Sequence, residues 1–356
     1  MARSFALPGA KGPACCHRTR KCCLHINRLT PRWIVIAVFA ALLPAGIARA
    51  ADPPKQAASR ETQKIVYVGT YLNQIIGMSL KDQKVSLDFH IWFRWKDDDL
   101  KPLETFDLTN GQIDAKEDTY QAKIGDDHYA VCRCMATIQK QWNVHDFPLD
   151  NHDITIEVED SDREEYKLRY VPDIENCNLN PDARVAGWDL VNGGAEVVTH
   201  LSNTNYGDIS LPTGHESSWS RYVYTVHMQR IGYGYFLKLF TGLFIAAIIA
   251  LISLLTQPSE LDSRFGLGVG AMFAAVASEY VISGALPDSN LLSLADRLHI
   301  VSFVFIFLAL LESTLSYKLL NQNRLRTAQW LDRMSFIILI SSYLGIVLYL
   351  VTAVKP

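Results

Sequence analysis

Four apolar runs in the last third of this chain constrain its architecture more than any other feature. They are Tyr235–Thr256, Phe265–Gly284, Leu298–Tyr317 and Trp330–Val351. A helix of about 20 residues, rising about 1.5 Å per residue, reaches across an apolar bilayer core of about 30 Å. Residues 231–356 are therefore predicted as an all-α domain of four membrane-crossing helices.

The charge distribution separates the rest of the chain into two further zones. Residues 1–50 hold eight Lys/Arg and no acid, whereas residues 51–230 hold 18 Lys/Arg against 30 Asp/Glu, a net charge of −12. The first zone reads as a signal peptide. It has a basic segment up to Arg32, an apolar core from Trp33 to Leu43 too short to cross a bilayer, and Ala48-Arg49-Ala50 as a small-residue cleavage site. Residues 51–63, rich in Pro, Ala, Lys and Gln, read as a flexible leader. Cys15, Cys16, Cys22 and Cys23 precede the expected cleavage and match no zinc-finger spacing. Cys132, Cys134 and Cys177 remain, and their odd number leaves at least one thiol free or intermolecular. Cys132 and Cys134 lie two apart in an expected strand and point to one face. A disulfide from Cys177 to either stays open.

Residues 64–230 read as an all-β sandwich. In Val85–Trp95, the residues Val85, Leu87, Phe89, Ile91, Phe93 and Trp95 alternate with Ser86, Asp88, His90, Trp92 and Arg94, the period of a half-buried strand. Ile154–Glu159, Tyr166–Tyr170, Glu196–Leu201 and Arg221–Gln229 read similarly, and no useful helical period precedes residue 235. A cleaved signal places this domain outside the membrane, so the connection between the third and fourth helices is cytoplasmic. That connection carries Lys318, Arg324 and Arg326, in agreement with the positive-inside rule.

The second apolar run is unlike a lipid anchor. Gly266, Gly270, Phe273, Ala277, Tyr280 and Gly284 recur at steps of four and three, which places them on one helical face. Small residues of this kind either permit close helix packing or, repeated around an axis, line a tube narrowed by rings of Phe273 and Tyr280. Glu279 lies inside the run and turns away from that face, toward an inter-helix pocket. Asp262, just before the run, forms a ring of carboxylates in the same arrangement.

Short motifs then occur in order. Trp95-Lys96-Asp97 with Leu100, Phe147-Pro148-Leu149-Asp150, Gln229-Arg230, Arg264 with Gly266-Leu267-Gly268-Val269, Leu286-Pro287 and Asp296 together resemble the pentameric ligand-gated ion channels of the Cys-loop receptor superfamily. The resemblance covers residues 64–352. Lys140 and Ile154 stand where animal members have the two cysteines of the signature loop. This departure and the short connection between the last two helices are similar to prokaryotic members. Gly232 and Gly242 stand where many animal receptors have prolines.

The resemblance implies a homopentamer, each chain meeting four identical subunits, in a bacterial inner membrane with the sandwich in the periplasm. The second helices would line a central pore, opened by a small molecule, a proton or a divalent cation. It implies pairing of Asp150 with Arg230 beneath the signature loop, and places Pro287 in the coupling loop. It also implies an agonist pocket between subunits, with His90, Ser161, Trp219 and Tyr206 at its positions. Glu157, Glu159, Asp160, Asp162, Glu164 and Glu165 read as a solvated acidic loop, with calcium modulation as the alternative. The eight histidines beyond residue 50 leave proton gating open. The acidic outer domain and Asp262 predict cation selectivity. Arg264 with its Gly-Leu-Gly-Val is similar to the pore start of the anion-selective members, which makes an anion channel the alternative. A non-conducting solute receptor is a further rival. No catalytic signature, cofactor motif or nucleic-acid partner is expected, and His200 and His215 read as surface residues.

Overall fold

The computed structural model describes residues 62–207, 209 and 214–354. The expected signal peptide, most of the flexible leader and the four N-terminal cysteines lie outside the described residues. Everything described belongs to one compact unit, Ser59–Pro356.

Ten strands come first: β1 Lys64–Ser79, β2 Lys84–Trp95, β3 Phe106–Leu108, β4 Gly111–Ile124, β5 Asp127–Gln139, β6 His152–Asp160, β7 Leu168–Pro172, β8 Asn178–Leu179, β9 Trp188–Ser202 and β10 Ser217–Arg230. A single-turn helix, α1 (Pro102–Thr105), interrupts them, a small exception to the expectation of no helix here. One sheet runs β4-β5-β2-β1-β7 with β8 added to β1; the other runs β3-β6-β10-β9. β1 pairs with β7 and β8 in parallel, and all other pairings are antiparallel.

The alternation in β2 has its expected consequence. Val85, Leu87, Phe89, Ile91, Phe93 and Trp95 are all buried, and together with Ile154, Ile156 and Val158 of β6 they belong to a continuous apolar core. Polar bonds also tie the sheets together. The Tyr222 hydroxyl of β10 donates to Thr70 Oγ1 of β1 at 3.1 Å, and the backbone N–H of Tyr170 donates to Ser220 Oγ at 2.9 Å. Gly69 allows a close approach, since a Cβ there would sit 2.2 Å from the Trp92 indole. The three described cysteines are free thiols. Cys132 and Cys134 do share one face, with their sulfurs 3.5 Å apart in the core. Cys177 lies instead against the Tyr222 hydroxyl at 3.3 Å, and burial pushes its thiol pKa up.

Four apolar helices follow, each long enough to cross a membrane: α2 Gly234–Ile252, extended to Leu255 by a 3-10 turn, α3 Leu261–Ser283, α4 Leu294–Asn321 and α5 Leu325–Ala353. The C-terminal region is thus suited to membrane embedding. α4 begins four residues before its apolar run because Ser293 and Asp296 form a capping box. α3 packs between α2 and α4, while α5 leans on α4 and buries only Ala328, Asp332 and Tyr343.

Candidate functional site

Three of the expected ligand residues meet in one cavity of about 520 Å³, walled by the end of β6, the turn after it and the start of β10. Tyr206, on the β9–β10 connection, is 67% exposed and adopts φ 51°. Its ring stands edge-on to Trp219 with centroids 6.3 Å apart, and its hydroxyl donates to Ser202 Oγ. The Trp219 Nε1–H is buried without a hydrogen-bond partner, an arrangement that calls for an explanation in a native site. Ser161 lines the same cavity, but its hydroxyl donates to the Thr105 carbonyl at 2.8 Å.

His90 is not part of this cavity. It lies on the other sheet, its Nδ1 3.1 Å from Asn73 Oδ1, beside a bidentate Arg133–Asp88 pair with contacts of 2.9 and 2.6 Å. The Arg133 guanidinium holds the Asp88 carboxyl below the usual carboxylate range.

The acidic cluster is not a solvated loop, and this corrects the sequence expectation. Glu157 and Glu159 stand on β6, where Arg221 of β10 meets both, at 2.8 and 2.6 Å. His200 Nδ1 approaches Glu159 at 2.9 Å, and His215 Nε2 approaches Glu164 at 3.5 Å. Neither histidine is a plain surface residue. Asp160 is buried and accepts from Thr105 Oγ1 and from the backbone N–H groups of Asp162 and Arg163. Arg221 on β10 and His200 on β9 reach these acids across strands, and Thr105 reaches Asp160 from α1, partnerships that linear spacing cannot display. Asp107 and Asp162 remain exposed at the cavity wall. Among the described residues, no group of three or more His, Cys, Asp or Glu side chains is arranged to hold a metal ion.

A second cluster joins sandwich to helices. Arg230 Nε lies 3.4 Å from Asp150 Oδ1, while Asp150 Oδ2 is 2.5 Å from His152 Nε2. The guanidinium also stacks over Trp188 at 3.8 Å and Tyr235 at 4.8 Å. Burial lowers the Arg230 pKa and Asp150 opposes that shift. Removing one member of so buried a pair costs about 3–5 kcal/mol. Pro287 is half-buried in the connection between α3 and α4. The connection between β5 and β6 reaches the start of α4 through one carbonyl: His145 C=O accepts from Leu294 N–H at 2.8 Å and from Arg297 Nη2 at 3.0 Å. Arg297 also lies 3.8 Å from Asp146.

The third feature is the face of α3. Asp262, Gly266, Gly270, Ala277 and Gly284 are exposed, as are Phe273 (72%) and Tyr280 (81%). The opposite side, with Gly268, Ala271 and Ala275, packs into the bundle; a Cβ on Gly268 would lie 2.4 Å from Leu310 Cδ2. Glu279 is half-buried between these faces. Arg264 is wholly buried and bonded to Asp332 of α5, with Glu312 of α4 nearby. The sequence reading missed Glu312 and Asp332, although an acid inside an apolar run is a signal in itself. No protein-family model matches the chain, and no curated protein matches it.

Proposed function

We propose that this chain is one subunit of a homopentameric ligand-gated channel of the Cys-loop receptor superfamily, prokaryotic in type. Its sandwich lies in the periplasm and its helices cross the bacterial inner membrane. The observation that carries the reading is the open face of α3: two large aromatics and a row of small residues stay uncovered while the opposite side is packed. Five such faces around an axis make a water-filled tube with apolar constrictions, which can close by dewetting.

Cation selectivity follows from charge. Asp262 opens the face at one end, and the sandwich contributes a net −12 per copy, which concentrates cations at the outer mouth. Arg264 is bonded to Asp332 inside the bundle and adds no charge to the lumen, which favours the cation reading over the anion-selective alternative suggested by its Gly-Leu-Gly-Val motif. The cavity beside Trp219 suits a small organic cation, with Tyr206 and Trp219 offering ring faces and Asp107 and Asp162 offering open carboxylates. His90, on the opposite sheet, completes the pocket from the adjacent subunit. Binding there pulls on the signature loop, and the His145 carbonyl and the Asp150–Arg230 pair pass that movement to α4 and α2.

Planar-bilayer recording of purified protein tests this, scanned across pH, calcium and small amines under a NaCl gradient. Gated currents reversing near the sodium equilibrium potential are expected. Reversal near the chloride potential rejects the selectivity. A silent preparation, or a detergent complex with other than five subunits, rejects the channel.

A further inference from the structure

At the end of the bundle remote from the sandwich, the four helices converge on one guanidinium. Arg264 Nη2 donates to Asp332 Oδ2 at 2.7 Å and to the carbonyls of Thr256 and Leu254 at 2.5 and 3.4 Å. Nη1 donates to Asp332 Oδ1 at 3.1 Å, and Nε to Thr256 Oγ1 at 3.3 Å. Asp332 and the end of α2 therefore take the Nε–H, the Nη2–H groups and one of the two Nη1–H groups.

Glu312 is the unmatched member. Its Oε2 lies 3.9 Å from the same Nη1, beyond hydrogen-bond length, and both of its oxygens are buried without a donor. Ser316 Oγ, one turn along α4, is also buried without a partner. An ionised carboxylate can only accept hydrogen bonds, and here nothing donates to it. Two carboxylates facing one guanidinium also leave a buried negative charge uncompensated. Among the described residues no further ion pair reaches the cluster: the end of α2 offers only carbonyls and the Thr256 hydroxyl, while Lys318 and Arg333 are exposed.

A proton on Glu312 resolves both deficits. The carboxyl gains an O–H that can donate to Ser316 Oγ or to Asp332, and the cluster becomes neutral. We propose that Glu312 holds a proton, making the Arg264–Asp332–Glu312–Ser316 cluster a proton-binding site where the four helices meet. The inference rests on packing and hydrogen bonding, so it stands or falls independently of whether the chain conducts ions.

Infrared spectroscopy of the full-length protein in detergent near neutral pH tests it. The wild type is expected to show a buried carboxylic-acid C=O stretching band that shifts slightly in D2O, and Glu312→Gln should remove it. The melting temperature should stay within a few degrees of wild type, because the amide replaces a neutral acid of the same shape. Absence of the band, or its persistence in Glu312→Gln, overturns the proposal. If that variant fails to assemble, Glu312→Asp serves instead: a shortened acid loses its bond to whichever acceptor it uses, so the band should shift or vanish, and a band unchanged in frequency and intensity overturns the proposal equally.

Discussion

At the scale of single residues, Asp88 shows what alternation can and cannot foretell. Its place in β2 assigns it outward, yet it is 1% exposed, because Arg133 from β5 and Asn73 from a bulged stretch of β1 close over it. The bulge between Leu72 and Gln74 leaves no mark in the hydrophobic pattern, so the partner was hidden although the strand was not. Because Arg133 depresses the Asp88 pKa in the folded state, the stabilisation is complete above the unfolded value of about 3.9 and disappears as pH falls through the lower folded value. Asp88→Asn should cost about 2 kcal/mol at neutral pH, as loss of a charge-assisted bond does. Urea unfolding against pH should show the variant and wild type converging in acid. An unchanged gap at every pH would assign the loss to something other than ionisation. The Asp150–Arg230 pair, in contrast, was approached through a motif, since each member sits at one end of a recognisable segment.

Among the elements, β2, β6, β10 and all four helices were legible because burial imposes a period of two or a long apolar run. The bulged β1 and the largely exposed β4 carry no such period and were not singled out. The helix ends were not legible either. α4 starts at Leu294 and α5 at Leu325, where capping and polar first turns extend each helix beyond its apolar stretch. On α3 the small residues fall on two faces, one packed and one open. Gly268, Ala271 and Ala275 admit neighbouring helices, whereas a Cβ on Gly266 or Gly270 would meet nothing within 4 Å. Cysteines placed at Gly270 and Phe273 should react with small aqueous thiol reagents in the assembled protein, and cysteines at Ala271 and Ala275 should not. Equal labelling at all four positions would remove the pore face.

For the whole molecule, the sandwich reaches the helices along two routes, the chain from Arg230 into α2 and the His145 carbonyl on the first turn of α4. The second route was invisible in the sequence because it runs through a backbone atom. If it transmits gating, Asp146→Ala and Arg297→Ala should each shift half-activation, and the double variant should depart from additivity by about 1 kcal/mol. The check is a double-mutant cycle on currents evoked by the stimulus that the bilayer scan identifies; strict additivity would exclude the contact from the path. α5 is clasped by the Arg264–Asp332 bond near its start and by the Tyr343 hydroxyl on Ser302 further along, and its end shares a cavity with Leu149 and Arg230 through Val351. Its apolar stretch, Trp330–Val351, extends about 33 Å, close to an average hydrocarbon layer of about 30 Å. A thinner membrane would tilt that stave, and the strain would fall first on the clasp that anchors the start of α3.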